Sequence, residues 1–186
     1  MRSHNNSGSA IKVVVVNESG FICEGLCRVI ERFNNVEVVA SVRSPHHLDA
    51  IARAQPVDVA LIDDAQCPSQ GGLEVTRQLR DSGMNTRVVI LSVNPSLADV
   101  ERVLQAGAHG FLLREAGVDE LEIALQAAAK GEKFLCPTII KRLFSNEDVG
   151  LVMLSDHAPL GAQQDHNSIH DMLEKALLLG ILQPEQ

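Results

Sequence analysis

Residues 57–64 read VDVALIDD, an apolar run that stops at two adjacent aspartates. Three other short apolar runs share this feature, because each is followed at once by a polar or charged residue. The four stops are Asp63 and Asp64 after 57–62, Asn17 and Glu18 after 11–16, Ser92 after 88–91, and Arg114 after 111–113. Apolar runs of this length indicate strands of a parallel sheet that is buried on both faces.

Helical periodicity separates these runs, so strand and helix signals alternate about five times along the chain. The predicted strands are 11–16, 36–42, 57–62, 86–91 and 109–113. The predicted helices cover 20–33, a stretch after Ser44-Pro45, 73–82, 95–106 and 118–130. This alternation predicts an open, doubly wound α/β sheet, in which ligands bind where the strands end. The polar stops are therefore expected to form one phosphate-handling or divalent-metal site.

Composition fits a globular protein better than a membrane protein. The 186 residues are 45% hydrophobic, with no Trp or Tyr and five Phe, so the core must be mostly aliphatic. No apolar run approaches the ~20 residues that a membrane-spanning helix needs. The N-terminus is polar and lacks the apolar segment of a signal peptide. These features predict a cytoplasmic location.

Cys23 and Cys27 lie four residues apart, on one face of the first predicted helix. Their apolar neighbours favour small buried core residues. A metal or redox pair is the alternative, although the chain contains no C-x-x-C motif.

The chain divides into a central domain and flanking segments. Residues 1–10 are predicted to be a disordered lead-in, 11–133 the domain, 134–150 a linker helix, and 151–186 an acidic tail with an amphipathic helix. From residue 145 onward, the chain has one basic residue, Lys175, and seven acidic residues, which gives a net charge of −6. The acidic residues are Glu147, Asp148, Asp156, Asp165, Asp171, Glu174 and Glu185. Because duplex DNA is bound through Lys and Arg, DNA binding by this chain is not expected.

Four stretches, taken in order, resemble the receiver domain of two-component response regulators, most closely the NarL/FixJ type. They are IKVVVVNESGFICEGL (11–26), PVDVALIDDAQCPSQGGLEVTRQLR (56–80), TRVVILS (86–92) and LQAGAHGFLLREAGVDELEIALQAAAKGEKFLCP (104–137). The resemblance covers about two-thirds of the chain and implies a flavodoxin-like (βα)5 fold with strand order 2-1-3-4-5 and additional C-terminal helices. No stretch resembles the family's usual DNA-binding output domain.

The resemblance also implies roles for the polar stops. Asp63 is the expected phosphoacceptor, with Asp64 as the alternative. Counting forward from Asp58 along the strand selects Asp63, whereas counting back through the loop from Pro68 and Gly72 selects Asp64. Ser92 matches the switch hydroxyl that also contacts the phosphoryl group, and Phe111 matches the switch aromatic. Arg114 stands at the phosphate-binding Lys position. Glu18, Asp63 and, weakly, Asn17 match the Mg²⁺ ligands.

Two of these positions depart from the family pattern. Asn17 removes one carboxylate of the acidic pair, which should weaken Mg²⁺ binding. Arg114 carries a planar guanidinium in place of a compact ammonium, and it can pair directly with Asp63 and close the site. We therefore expect an atypical receiver with weak or no Asp phosphorylation. The alternative is a conventional Mg²⁺-dependent phosphoacceptor whose output domain is absent or truncated.

The expected activity is signal transduction or transcriptional regulation, through dimerisation or partner docking, and not enzymatic catalysis. We expect the protein to form a homodimer and to bind a sensor kinase or another partner protein. No contact with a membrane is expected. No G-x-G-x-x-G or G-x-x-x-x-G-K-[ST] motif is present, so the sequence offers no nucleotide-binding loop.

Overall fold

The strands of the computed structural model, which describes residues 9–64 and 70–145, lie side by side in one parallel sheet. They are β1 (Ile11–Val16), β2 (Val36–Val42), β3 (Val59–Asp63), β4 (Arg87–Ser92), β5 (Gly110–Leu113) and β6 (Phe134–Leu135). Their order across the sheet is β2-β1-β3-β4-β5-β6. The flavodoxin-like α/β fold with order 2-1-3-4-5 is thus confirmed. The two-residue strand β6 is an addition that the sequence pattern does not indicate.

The connections between strands are helical, as predicted. The helices are α1 (Gly20–Ile30), α2 (Leu48–Ala54), α3 (Gln70–Asp81), α4 (Leu97–Ala106), α5 (Val118–Ala129) and α6 (Pro137–Ser145). Helix α1 ends three residues before the predicted end at Phe33. Beyond Ile30, the N–H groups of Arg32 and Phe33 donate to carbonyls only three residues back, so the helix closes in a tighter turn.

The sheet is buried on both faces, which explains its unbroken apolar strands. On one face, alternate strand residues such as Val15, Leu61 and Leu112 pack against α1 and α5 in one core cluster. Because strand side chains alternate, Val14, Ala60 and their equivalents point to the opposite face. They are also fully buried.

Strand β3 begins and ends slightly later than the predicted 57–62. Asp58 lies just before its first residue, and the Asp58 carboxylate accepts the backbone N–H of Lys12 at 2.8 Å. Asp63 is the last residue of the strand, and Asp64 follows it in the loop. The strand therefore delivers Asp63 to the carboxyl edge of the sheet.

Several predictions fall outside the described residues. They are most of the lead-in 1–10, the end of the linker segment after Ser145, and the whole of the tail 151–186 with its amphipathic helix. Within the described part of the chain, no helix has the length and apolar character needed to cross a membrane.

Candidate functional site

An open cleft lies at the carboxyl edge of the sheet, where the first three strands end. Its volume is about 290 Å³. Five predicted site residues line it together: Asn17, Glu18, Asp63, Asp64 and Arg114. The expectation that the polar stops meet at one edge is therefore met for residues that follow β1, β3 and β5.

Asp63 and Arg114 form an ion pair inside this cleft. The Arg114 Nε–H donates to Asp63 Oδ1 at 2.5 Å. The side chain of Asp63 is fully buried, whereas 28% of the Arg114 side chain is exposed. The backbone N–H of Arg114 also donates to the carbonyl of Ser92 at 2.8 Å, which fixes the start of the loop after β5. The pairing expected from the Arg-for-Lys replacement is thus present.

Asn17 holds the other oxygen of the same carboxylate. Its Nδ2 donates to Asp63 Oδ2 at 2.5 Å, and its Oδ1 accepts the backbone N–H of Ser19 at 2.7 Å. An amide can be turned either way, so its orientation has to be judged from its partners. Here both partners indicate the same orientation of the amide, because the Ser19 backbone N–H can only donate and the ionised Asp63 carboxylate can only accept.

Burial raises the pKa of Asp63 above its ordinary value. The hydrogen bond and charge of Arg114 oppose this rise, as does the hydrogen bond of Asn17, whereas the neighbouring Asp64 carboxylate adds to it. Burial has the larger influence. The carboxylate is consequently costly to keep charged at this place, and its two donors lower that cost.

The donor set fits a divalent metal poorly. Mg²⁺ requires several oxygen ligands in near-octahedral geometry. Each oxygen of Asp63 already accepts one hydrogen bond, and the Asn17 carbonyl oxygen faces Ser19. Glu18 is exposed on the cleft wall. In residues 9–64 and 70–145, no group of three or more His, Cys, Asp or Glu could hold a metal ion.

Ser92 and Phe111 lie in the neighbouring strands but not on the cleft wall. Ser92 ends β4 and is 1% exposed, and its Oγ makes no hydrogen bond within the described residues. Phe111 lies in β5, paired in register with Ile90, and is fully buried. The two predicted switch residues are therefore placed in the core, and their roles stay predictions.

The cleft contains residues that the sequence pattern did not single out. Arg43, Ser19, Ile22 and Pro45 are also part of its wall. Arg43 directly follows β2, so the rule that strand ends collect functional groups would have found it. Ser19 contributes only its backbone N–H to Asn17, in an Asx-type turn that the Asn-x-Ser spacing permits. Ile22 and Pro45 carry no comparable signal.

The cysteine pair behaves as core residues. Cys23 is buried, and its Sγ lies 3.9 Å from the Val15 carbonyl oxygen. Cys27 is half-buried, and burial together with the nearby Cys23 raises the pKa of its thiol to about 11. A thiol that holds its proton so firmly is a poor nucleophile and metal ligand at neutral pH.

The fold and the cleft agree with a comparison against known families, in which the response regulator receiver domain matches residues 13–126. The chain belongs to this family. Among curated relatives, response regulator GacA of Pseudomonas aeruginosa is 31% identical over 72% of the chain. The nitrate/nitrite response regulator homolog of Haemophilus influenzae is 30% identical over 78% of the chain.

Solved structures of receiver domains have the same fold as the present chain. The signal receiver domain of response regulator NarL from Mycobacterium tuberculosis superposes with a TM-score of 0.62 at 30% identity. The match covers 67% of the present chain and 100% of that domain. The chain spans 62% of the length of GacA and 71% of the Haemophilus protein. The comparisons therefore identify a receiver domain of two-component signalling.

Proposed function

We propose that this receiver acts in signal transduction or transcriptional regulation with weak or no phosphorylation of Asp63. Its output would be dimerisation or docking on a partner protein. A homodimer is the expected assembly, and a sensor kinase is a second expected partner. The protein would work in the cytoplasm as a binding module and not as an enzyme, with no contact to membrane or DNA.

The occupied carboxylate of Asp63 is the observation that carries this proposal. A phosphoacceptor has to present an oxygen to the incoming phosphorus atom, and it needs cations to neutralise the phosphoryl oxygens. Asp63 presents one oxygen to Arg114 and the other to Asn17. Nucleophilic attack would compete with these two bonds for the lone pairs of the carboxylate. Arg114 also brings one positive charge to the carboxylate, whereas the Asn17 amide is neutral.

Asp64, the alternative phosphoacceptor, is the less favoured position in this proposal. It is buried beside Asp63 and lies one residue past the end of β3. Its backbone N–H donates to the Leu91 carbonyl at 2.8 Å, which continues the ladder between β3 and β4. Asp63, by contrast, makes the direct contacts with Asn17 and Arg114. We therefore keep Asp63 as the position equivalent to the phosphoacceptor.

A conventional Mg²⁺-dependent phosphoacceptor is the second candidate, and Ser92 favours it. Buried hydroxyl groups are nearly always hydrogen-bonded, yet Ser92 Oγ has no partner within the described residues. A phosphoryl oxygen on Asp63 would give this hydroxyl an acceptor. In that case Glu18, Asp63 and Asn17 would hold the metal, and Ser92 and Arg114 would bind the phosphoryl group.

The two candidates differ in their response to phosphodonors and to loss of the aspartates. The proposal predicts that Asp63→Ala and Asp64→Ala proteins keep wild-type regulatory or partner-binding activity in cells. Loss of that activity in either variant, in a protein that still folds and accumulates, would favour the conventional candidate. Direct labelling of the wild-type protein is the complementary measurement and is described at the end of the Discussion.

A further inference from the structure

We infer that Asn17 determines which cation the cleft holds, so that the neutral side chain at position 17 selects the internal guanidinium of Arg114 over a divalent metal ion. This inference deepens the proposed function and rests on it, because it explains how the closed site is maintained. Asn17 would then be a specificity-determining residue of the cleft and not a tolerated variant.

The first argument is the fixed direction of the Asn17 amide. Asn17 is 4% exposed, and both ends of its amide are engaged, with Ser19 on one side and Asp63 on the other. Rotating the amide to aim its oxygen at a metal would place two N–H groups against the Ser19 N–H. It would also take the hydrogen bond away from Asp63. The amide therefore presents a donor toward the carboxylate, and a metal ion needs an acceptor there.

The second argument is the balance of charge. With asparagine at position 17, the buried Asp63 carboxylate faces one guanidinium, and the pair is neutral. Aspartate at position 17 would add a carboxylate whose oxygen lies where Nδ2 now sits, 2.5 Å from Asp63 Oδ2. Two ionised carboxylates so close, with Asp64 beside them, repel each other strongly. A divalent cation bound between the two carboxylates would relieve this repulsion, whereas the neutral amide of Asn17 creates none.

The third argument is that Arg114 can leave. More than a quarter of its side chain is exposed, so its guanidinium can move to solvent without being stranded in the core. Asp63, in contrast, is fixed in β3 and buried. A metal ion competing for Asp63 would therefore displace the arginine and not the aspartate. Glu18, which is exposed on the same wall, would then be available as a further oxygen ligand.

The test compares thermal unfolding of the full-length wild type and three variants, with and without about 10 mM MgCl2, at equal ionic strength. The variants are Asn17→Asp, Asn17→Ala and the double variant Asn17→Asp/Asp63→Asn. We expect MgCl2 to raise the unfolding temperature of Asn17→Asp by about 3 °C or more and that of wild type by less than about 1 °C. Asn17→Ala, which loses the amide without gaining a carboxylate, should respond like wild type. In the double variant, MgCl2 should no longer raise the unfolding temperature.

Three results would overturn the inference. They are an equal Mg²⁺ response in wild type and Asn17→Asp, no response in a folded Asn17→Asp protein, and a full response in Asn17→Ala. If Asn17→Asp is unfolded without metal, refolding on addition of MgCl2 supports the inference, and failure to refold contradicts it. Failure here would leave the phosphodonor result unchanged, because the labelling experiment uses only residues of the wild-type site.

Discussion

At the scale of single residues, the cleft depends on one buried carboxylate and two donors that face it. The ordinary cost of burying such a charge is several kcal/mol, and a buried pair regains that cost only when its geometry is good. Asp63 has one donor for each oxygen, which meets this condition. The arrangement is therefore asymmetric: removing a donor should cost more than removing the carboxylate.

Arg114→Ala is expected to destabilise the domain by about 2 kcal/mol, because it leaves the buried Asp63 carboxylate with the uncharged Asn17 amide as its donor. Asp63→Ala should cost less than Arg114→Ala, since it removes the buried charge and lets the partly exposed Arg114 guanidinium turn to solvent. Chemical denaturation at pH 7 measures both effects. Arg53→Ala is the matched control, because its ion pair with Asp49 is exposed and should contribute little to stability.

The same variant has a pH signature. Because burial already raises the pKa of Asp63, losing Arg114 should raise it further. A raised pKa in the folded state means that the folded protein is relatively more stable at low pH and loses that stability as pH rises through the folded pKa. The defect of Arg114→Ala should consequently shrink as the pH is lowered toward 5. A defect that is constant with pH would contradict this account.

His109 should make the domain less stable in mild acid. Burial lowers the pKa of its imidazole to about 4, and the charges of Arg87 and Lys133 add to the effect. Below the ordinary pKa of about 6.5, His109 is protonated in the unfolded chain but stays neutral in the folded chain. The free energy of unfolding therefore falls between about pH 6.5 and 4. After allowance for its partial exposure, the loss should be on the order of 1–2 kcal/mol.

His109→Gln should remove this part of the acid dependence, and denaturation curves between pH 7.5 and about 4 measure the difference. The exposed His46→Gln serves as the control, because it has the same change of chemistry outside the core. Comparing variant with wild type cancels the carboxylates that titrate over the same range. Parallel acid profiles for wild type and His109→Gln would refute the assignment.

At the scale of helices and strands, local signals differ in how clearly they mark an element. Helix α4 begins with a capping box, in which Ser96 Oγ accepts the Asp99 N–H and the Asp99 carboxylate accepts the Ser96 N–H. Helix α1 begins at Ser19, whose side chain makes no capping bond. The two serines thus occupy the same helical position with different contacts.

Ser96→Ala is expected to cost about 1 kcal/mol of unfolding free energy, whereas Ser19→Ala should cost only a few tenths. The Ser19 N–H that holds Asn17 belongs to the backbone, so the control substitution leaves the cleft intact. Urea denaturation of both variants gives the comparison. Equal losses would show that the side-chain bonds of the α4 capping box contribute nothing specific.

The sequence was informative about elements and less so about their ends. Four of the apolar runs became β1, β3, β4 and β5, because a strand buried on both faces must be apolar throughout. Strand β6 was missed, since two residues are too few to show the alternation of apolar and polar side chains that marks a strand. The start of β3 was missed, and Asp58 bonds to the backbone of Lys12, a contact 46 residues away that spacing does not reveal.

The candidate site was predictable to the same degree. Residues at strand ends were found from their positions, and the Arg114–Asp63 pair was predicted from the ability of a planar guanidinium to bind a carboxylate. The second bond, from Asn17, could not be anticipated, because the orientation of its amide depends on Ser19 as well as Asp63. Ser92 was expected at the site, yet it lies in the core beside the cleft and not on its wall.

At the scale of the whole molecule, the chain has the receiver fold, with an ion pair between Asp63 and Arg114 at one edge of the sheet. The sheet order, the alternation of strands and helices and the family match over residues 13–126 show the shared architecture. Under the proposed function, this ion pair would hold the edge of the sheet in one arrangement without metal or phosphate.

The most direct test is labelling of the full-length wild-type protein with a small phosphodonor such as acetyl phosphate, in the presence of Mg²⁺. Intact mass spectrometry detects the product, and a receiver with the complete acidic pair and lysine is run in parallel as the positive control. The account predicts labelling of the control receiver and little or no base-labile phosphoryl adduct on the present protein. A base-labile adduct as abundant as that of the control receiver, which disappears in Asp63→Ala or Asp64→Ala, would contradict it.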